Sequence, residues 1–186
     1  MKHSILAGAS TLALIIAAPA MGQSNDSTVT QTGSNQNATV TQQGANSDSE
    51  VTQANANNVA VVQQQAGTDG ANSEIEQTGR DERASVIQVA GAAKSFIEQE
   101  GGAQNASVFQ DGDSTSIINQ SARFNEASVS QTGDGNLSTV NQTGVNGAVG
   151  DPDNNYGAPD ADGLVGVTQF GNNNLSTINQ SGDNTV

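Results

Sequence analysis

The sequence predicts an all-β, amyloid-like fold: a β-solenoid of strand-turn-strand rungs, about 22 residues each, stacked into two facing, parallel, in-register sheets. Three observations carry this. A glutamine returns at intervals close to eleven residues: Gln31, Gln42, Gln53, Gln64, Gln77, Gln88, Gln99, Gln110, Gln120, Gln131, Gln142, Gln169 and Gln180. Two places before each stands a β-branched residue: Val29, Val40, Val51, Val62, Ile75, Val86, Ile97, Val108, Ile118, Val129, Val140, Val167 and Ile178. Four places before it serine and alanine alternate, beginning Ser27, Ala38, Ser49, Ala60, with Val165 the one substitute. This alternation doubles the eleven-residue half-repeat into a rung made of one serine strand and one alanine strand.

Taken in order, the chain opens with Lys2, an apolar run from Ile5 to Ala18, and small residues to Gly22. That is the layout of a secretory signal peptide over residues 1–22, with cleavage after Ala20 or Gly22. The run is too short for a membrane span, which needs roughly 20 apolar residues. Residues 23–186 form the repeat domain. Within each half-repeat the inward places follow a period of two, which excludes a helix. Six places before the glutamine the residue is often Asn, Gln or Ser, including Asn25, Gln36, Ser47, Asn58, Gln104, Ser114, Asn125 and Asn136. One and three places before it the residues are mainly polar, such as Thr28 with Thr30 and Glu74 with Glu76, and form the solvent face. Gly33, Gly44, Gly79, Gly101, Gly112, Gly133 and Gly144 stand two places after a glutamine and mark tight turns.

Composition narrows the function. Aromatic content is 3%, hydrophobic content 33%, and cysteine is absent, so the fold must rest on backbone ladders and narrow side-chain stacks. Loss of the leader would leave Arg80, Arg83, Lys94 and Arg123 against all nineteen acidic residues, a net charge of −15. Nucleic-acid binding and attachment to an anionic membrane are excluded on that ground. Without the leader the chain has no His, and its scattered carboxylates show no paired arrangement, which argues against an enzyme and leaves no cofactor implied. An inward glutamine is unfavourable alone, but in register each amide can donate to the amide oxygen one rung away.

With these residues in hand, the chain resembles the curlin repeat proteins, the subunits of bacterial curli amyloid fibres. The family motif is Ser, five residues, Gln, four residues, Asn, five residues, Gln. Ser47, Gln53, Asn58 and Gln64 fit it, as do Ser114, Gln120, Asn125 and Gln131. The resemblance implies a homopolymeric fibre at the cell surface that supports adhesion and biofilm. It also implies passage through the periplasm, a nucleator curlin as partner, and an outer-membrane secretion pore with its accessory factors. Repeat regularity favours the major subunit over the minor nucleator.

Three departures stand out. The family's segment between leader and repeats is almost missing, because the repeats start near Asn25. The spacing slips between Gln64 and Gln77 and between Gln110 and Gln120, which predicts a looser and a tighter turn. An acidic insertion over about residues 145–164 carries Asp151, Asp153, Asn155, Asp160 and Asp162, and reads as a solvated loop in the turn of rung six, with Val165 resuming the strand. A calcium loop, and with it a calcium-dependent adhesin, is weakened by Tyr156 at the place where an EF-hand needs glycine. An ice-binding solenoid is suggested by Thr28, Thr30, Thr39 and Thr41, but the ranks break at Glu50, Val61 and Glu74.

Overall fold

The computed structural model describes residues 2–7, 24–145, 148–149 and 166–181. Its strands are β1 (Lys2–Ala7), β2 (Asp26–Ser34), β3 (Asn37–Gln42), β4 (Asp48–Ala56), β5 (Val59–Thr68), β6 (Asn72–Gln77), β7 (Arg83–Gly91) and β8 (Lys94–Gly102). They continue with β9 (Asn105–Asp111), β10 (Thr115–Arg123), β11 (Glu126–Thr132), β12 (Leu137–Gln142), β13 (Ala148–Val149), β14 (Val167–Phe170) and β15 (Leu175–Gln180). Among the described residues there is no helix. One sheet runs β1-β2-β4-β6-β8-β10-β12-β15 and the other β13-β11-β9-β7-β5-β3, with β14 also on β11. Every pairing is parallel, and like residues face like: Val29 pairs with Val51, Val51 with Ile75, Ile75 with Ile97 and Ile97 with Ile118. This is a β-solenoid of about 22 residues per turn. β1, inside the segment read as a leader, adds to β2 with Ile5 beside Val29.

From β2 to β13, consecutive strands lie in opposite sheets and run in opposite directions. The end of β3 therefore meets the start of β2, where Gln42 Nε2 donates to Asp26 O at 2.9 Å. Counting back from that contact sets Val40 between Ser27 and Val29 of the facing strand. The inward serines and alanines are the small residues of each rung, and they leave room for the valines and isoleucines of a thin core. The core is one continuous cluster of these valines, isoleucines and alanines, with Ile178 packed on its end.

The turns carry the backbone strain. Four places after the glutamine of each of the first five serine strands, Asn35, Asn57, Asp81, Ala103 and Phe124 all take positive φ. Asn and Asp tolerate that region because their short polar side chains bond locally. Here they also bond along the stack: Asn35 Nδ2 donates to Asn57 Oδ1 at 3.3 Å and Asn57 Nδ2 to Asp81 Oδ1 at 2.8 Å. The long step from Gln64 to Gln77 is taken up partly by a register shift in β5 between Gln64 and Gly67. A second shift, between Gln88 and Ala90, accompanies the short step after Gln110.

The insertion corrects one expectation. It does not sit in the turn of rung six but divides that rung's alanine strand. Ala148 and Val149 pair with Glu126 and Ala127, and the chain returns at Val167 to pair with Val129. Val149 is the neighbour of Ala127. Val165 and the acidic residues Asp151 to Asp162 lie outside the described residues.

One prediction tests the closeness of the rungs. Gly101 has φ +132°, and a Cβ there would fall 1.7 Å from Ala122 O on the next rung. Gly101→Ala should cost more than about 3 kcal/mol, the upper range for a strained backbone alone. Gly70→Ala, where the nearest atom would be 3.9 Å away, should cost about 1 to 2 kcal/mol. Denaturant midpoints of the two variants give the comparison; equal losses would contradict the packing described.

Candidate functional site

The inward glutamines form two unbroken ladders. On the serine strands Gln31 Nε2 donates to Gln53 Oε1 at 2.7 Å, Gln53 to Gln77 at 2.7 Å and Gln77 to Gln99 at 2.8 Å. The series continues from Gln99 to Gln120 at 2.8 Å, Gln120 to Gln142 at 2.7 Å and Gln142 to Gln180 at 2.9 Å. On the alanine strands the bonds are Gln42 to Gln64 at 2.9 Å, Gln64 to Gln88 at 3.0 Å and Gln88 to Gln110 at 3.2 Å. Gln110 to Gln131 at 3.0 Å and Gln131 to Gln169 at 2.8 Å complete them. In every bond the earlier residue donates and the later accepts. Both ladders therefore have one polarity.

The same amide nitrogens do a second job. Gln53 donates to Asn37 O at 3.2 Å, Gln64 to Asp48 O at 2.9 Å, Gln99 to Arg83 O at 3.0 Å and Gln131 to Thr115 O at 3.0 Å. Each of these carbonyls belongs to the first residue of a strand in the facing sheet. One amide thus ties a rung to the next rung and also one sheet to the other. The sequence shows the recurrence of glutamine but not this cross-sheet bond, which depends on how the sheets face.

Not every inward polar group is satisfied. The hydroxyls of Ser27, Ser49, Ser73, Ser95, Ser116 and Ser138 are buried without a hydrogen-bond partner. Serine here serves by its small size. Asn58, Ser114 and Asn125, six places before a glutamine, instead bridge the turns: Asn58 Nδ2 donates to Ala54 O at 2.7 Å and Gly79 O at 3.0 Å. Ser114 Oγ donates to Gly133 O at 2.7 Å, and Asn125 Nδ2 to Ser121 O at 2.8 Å.

The same column holds a carboxyl that the sequence reading passed over, although it stands six places before Gln88. Glu82 is fully buried. Burial pushes its pKa up from 4.5 to about 7, against the lowering effect of the Gly79 N–H bond, with Glu100 adding a smaller rise. On the outward faces the carboxylates lie in register instead: Asp26 beside Asp48, Glu50 beside Glu74 and Glu76 beside Glu98. At the far end of the stack, the inward places Ser176, Ile178 and Gln180 on β15 are half-exposed, whereas their counterparts on β12 are buried.

A chain of parallel, in-register rungs with amide ladders in both sheets defines a β-solenoid of the cross-β kind. The curlin associated repeat matches residues 22–54 and 113–144, and the second stretch contains the motif copy Ser114, Gln120, Asn125 and Gln131. The chain thus carries the curlin associated repeat in two separate stretches. Comparison with curated proteins and with solved structures returned no match.

Replacing a ladder residue and replacing a small-residue spacer should have opposite effects. Gln99→Ala takes a partner from Gln77 and from Gln120 and removes the tie to Arg83 O, so it should destabilise by roughly 3 kcal/mol or more. Ser95→Ala removes a buried hydroxyl that bonds nothing, and should leave stability equal or raise it by about 1 kcal/mol. Denaturant titration of both variants measures this, and a large loss in Ser95→Ala would show that its hydroxyl has a partner.

Proposed function

We propose that the protein is a structural subunit of an exported, curli-like amyloid fibre at the bacterial cell surface, and that it polymerises by adding further copies to the solenoid stack. The observation that carries this reading is the half-exposed end of the core on β15. Ser176, Ile178 and Gln180 there repeat the pattern that every inner serine strand presents to its neighbour. Among the described residues β15 is the last strand of its sheet. A second copy presenting a strand of the same pattern can continue both the backbone ladder and the amide ladder with bonds identical to those inside the chain.

On this reading residues 1–22 are a leader removed before assembly, and the fibre serves adhesion and the biofilm matrix. Delivery uses the outer-membrane pore and accessory factors that the family implies, and a nucleator curlin starts growth. A structural subunit of this kind needs no catalytic activity. A role as the minor nucleator is the alternative within the same class. An ice-binding role is disfavoured by the outward rank Thr28, Glu50, Glu74, Phe96, Ile117 and Thr139, which aligns unlike residues instead of a threonine array.

Residues 23–186, incubated at micromolar concentration, should form fibres with reflections near about 4.7 and 10 Å, seeded by their own fragments. Absence of that pattern would overturn the proposal. Added to cells that lack a nucleator, the bulk subunit should stay unassembled at the surface; rapid unaided growth there identifies a nucleator instead. The aligned pairs Asp26 with Asp48, Glu50 with Glu74 and Glu76 with Glu98 oppose stacking. Raising salt should therefore speed assembly as the screening length falls from about 10 Å at 0.1 M to about 3 Å at 1 M. Rates that do not change with salt would contradict it.

A further inference from the structure

Glu82 sits in a column otherwise occupied by amides. Where the serine strands turn into the alanine strands, the buried inward residues are Gln36, Asn58, Glu82, Gln104 and Asn125. The amides share one arrangement. Gln36 Nε2 donates to Thr32 O at 3.2 Å and Asn55 O at 3.5 Å, and Gln104 Nε2 donates to Glu100 O at 3.0 Å and Ala122 O at 3.2 Å. In each case one acceptor lies four residues back on the same rung and the other lies on the next rung, as it does for Asn58. The column therefore presents carbonyl oxygens to whatever side chain fills it. An ionised carboxylate has no proton to offer them.

The geometry at Glu82 shows the mismatch. Oε2 accepts from Gly79 N at 2.9 Å, while Oε1 is buried with no partner. A Cβ built on Gly79 would lie 2.2 Å from Glu82 Oε1 and 2.3 Å from Gly101 O, so both oxygens border the same small space. When the carboxyl is ionised, two acceptors crowd there. When it is protonated, Oε1–H is the donor that this column supplies at its other rungs.

We propose that Glu82 is a proton-operated latch on the third rung: the turn closes fully over Glu82 only when its carboxyl is neutral, so forming the solenoid takes up one proton. The groups around it do not supply a counter-charge that would remove this requirement. Arg80, Asp81 and Arg83, on its own turn and strand, are exposed, and Asp81 accepts from Asn57. On the next rung Glu100 is exposed and adds negative charge. The preceding turn, residues 54–58, has no ionisable side chain.

The sign is that of a carboxyl whose folded pKa is raised. Its contribution favours the folded state fully below pH 4.5, declines as pH rises, and is lost by about pH 7. The latch concerns closure of the solenoid and does not require that copies polymerise. The test is the folding equilibrium of the whole chain, followed by far-ultraviolet circular dichroism in urea from pH 4 to 8 in 1 M salt. High salt suppresses the outward carboxylates but not a buried one. Between pH 5 and 7.5 the folding constant of the native sequence should fall by roughly ten- to a hundredfold. Glu82→Gln and Glu82→Asn, which place an amide in the column, should abolish that fall and lose the uptake of one proton measured by pH-stat. An equal fall in both variants overturns the proposal. So does failure of both to fold at any pH, since an amide would then not fit the column. Fibre diffraction on the same samples separates a failed latch from failed polymerisation.

Discussion

The parallel, in-register glutamine amide is the interaction on which the remaining structure depends. A buried primary amide has two protons and an oxygen to place, and a core this narrow offers water no entry. Here one proton goes to the next rung's amide and the other to a carbonyl of the facing sheet, as Gln64 shows with Gln88 Oε1 and Asp48 O. That solution exists only when the rungs are in strict register and the sheets face each other with opposite strand directions. Register then decides everything else in the core. It stacks valine on valine and serine on serine, and brings the Asn and Asp turns into a column of their own.

Most of this architecture was legible from the period alone. The offsets of Val29 and Gln31, repeated along the chain, state which residues share a face, and the alternation of Ser27 with Ala38 states that two unlike strands make one rung. Other parts were not legible because they depend on how elements meet in space. The bond from Gln99 to Arg83 O needs the facing sheet to be in place. The pairing of Ala148 and Val149 with β11 was hidden because they fall inside the stretch that breaks the period, and the repeat gives no reason to seek a strand there. Glu82 was overlooked for a different reason. It is the one acidic residue among the amides of its column, and its meaning comes from the carbonyls around it.

The serine hydroxyls show what the core demands. Six of them are buried and bond nothing, which is unfavourable taken singly. Their recurrence makes sense as a limit on volume: Ser95 is fully buried, and a larger residue there would press on the facing sheet. The stack therefore tolerates an unmet hydroxyl more readily than a misfit, whereas a missing amide interrupts a ladder that runs through every rung.

The divided strand bears on how the scaffold can be elaborated. Ala148 and Val149 hold one half of a place in the sheet, Val167 to Phe170 hold the other, and the bond from Gln131 to Gln169 keeps the amide ladder whole past the interruption, at 2.8 Å. Among the described residues, that place in the sheet is filled by these two flanking pieces. A passenger peptide joined between Val149 and Val167 would therefore be carried once in every subunit, whatever the protein builds.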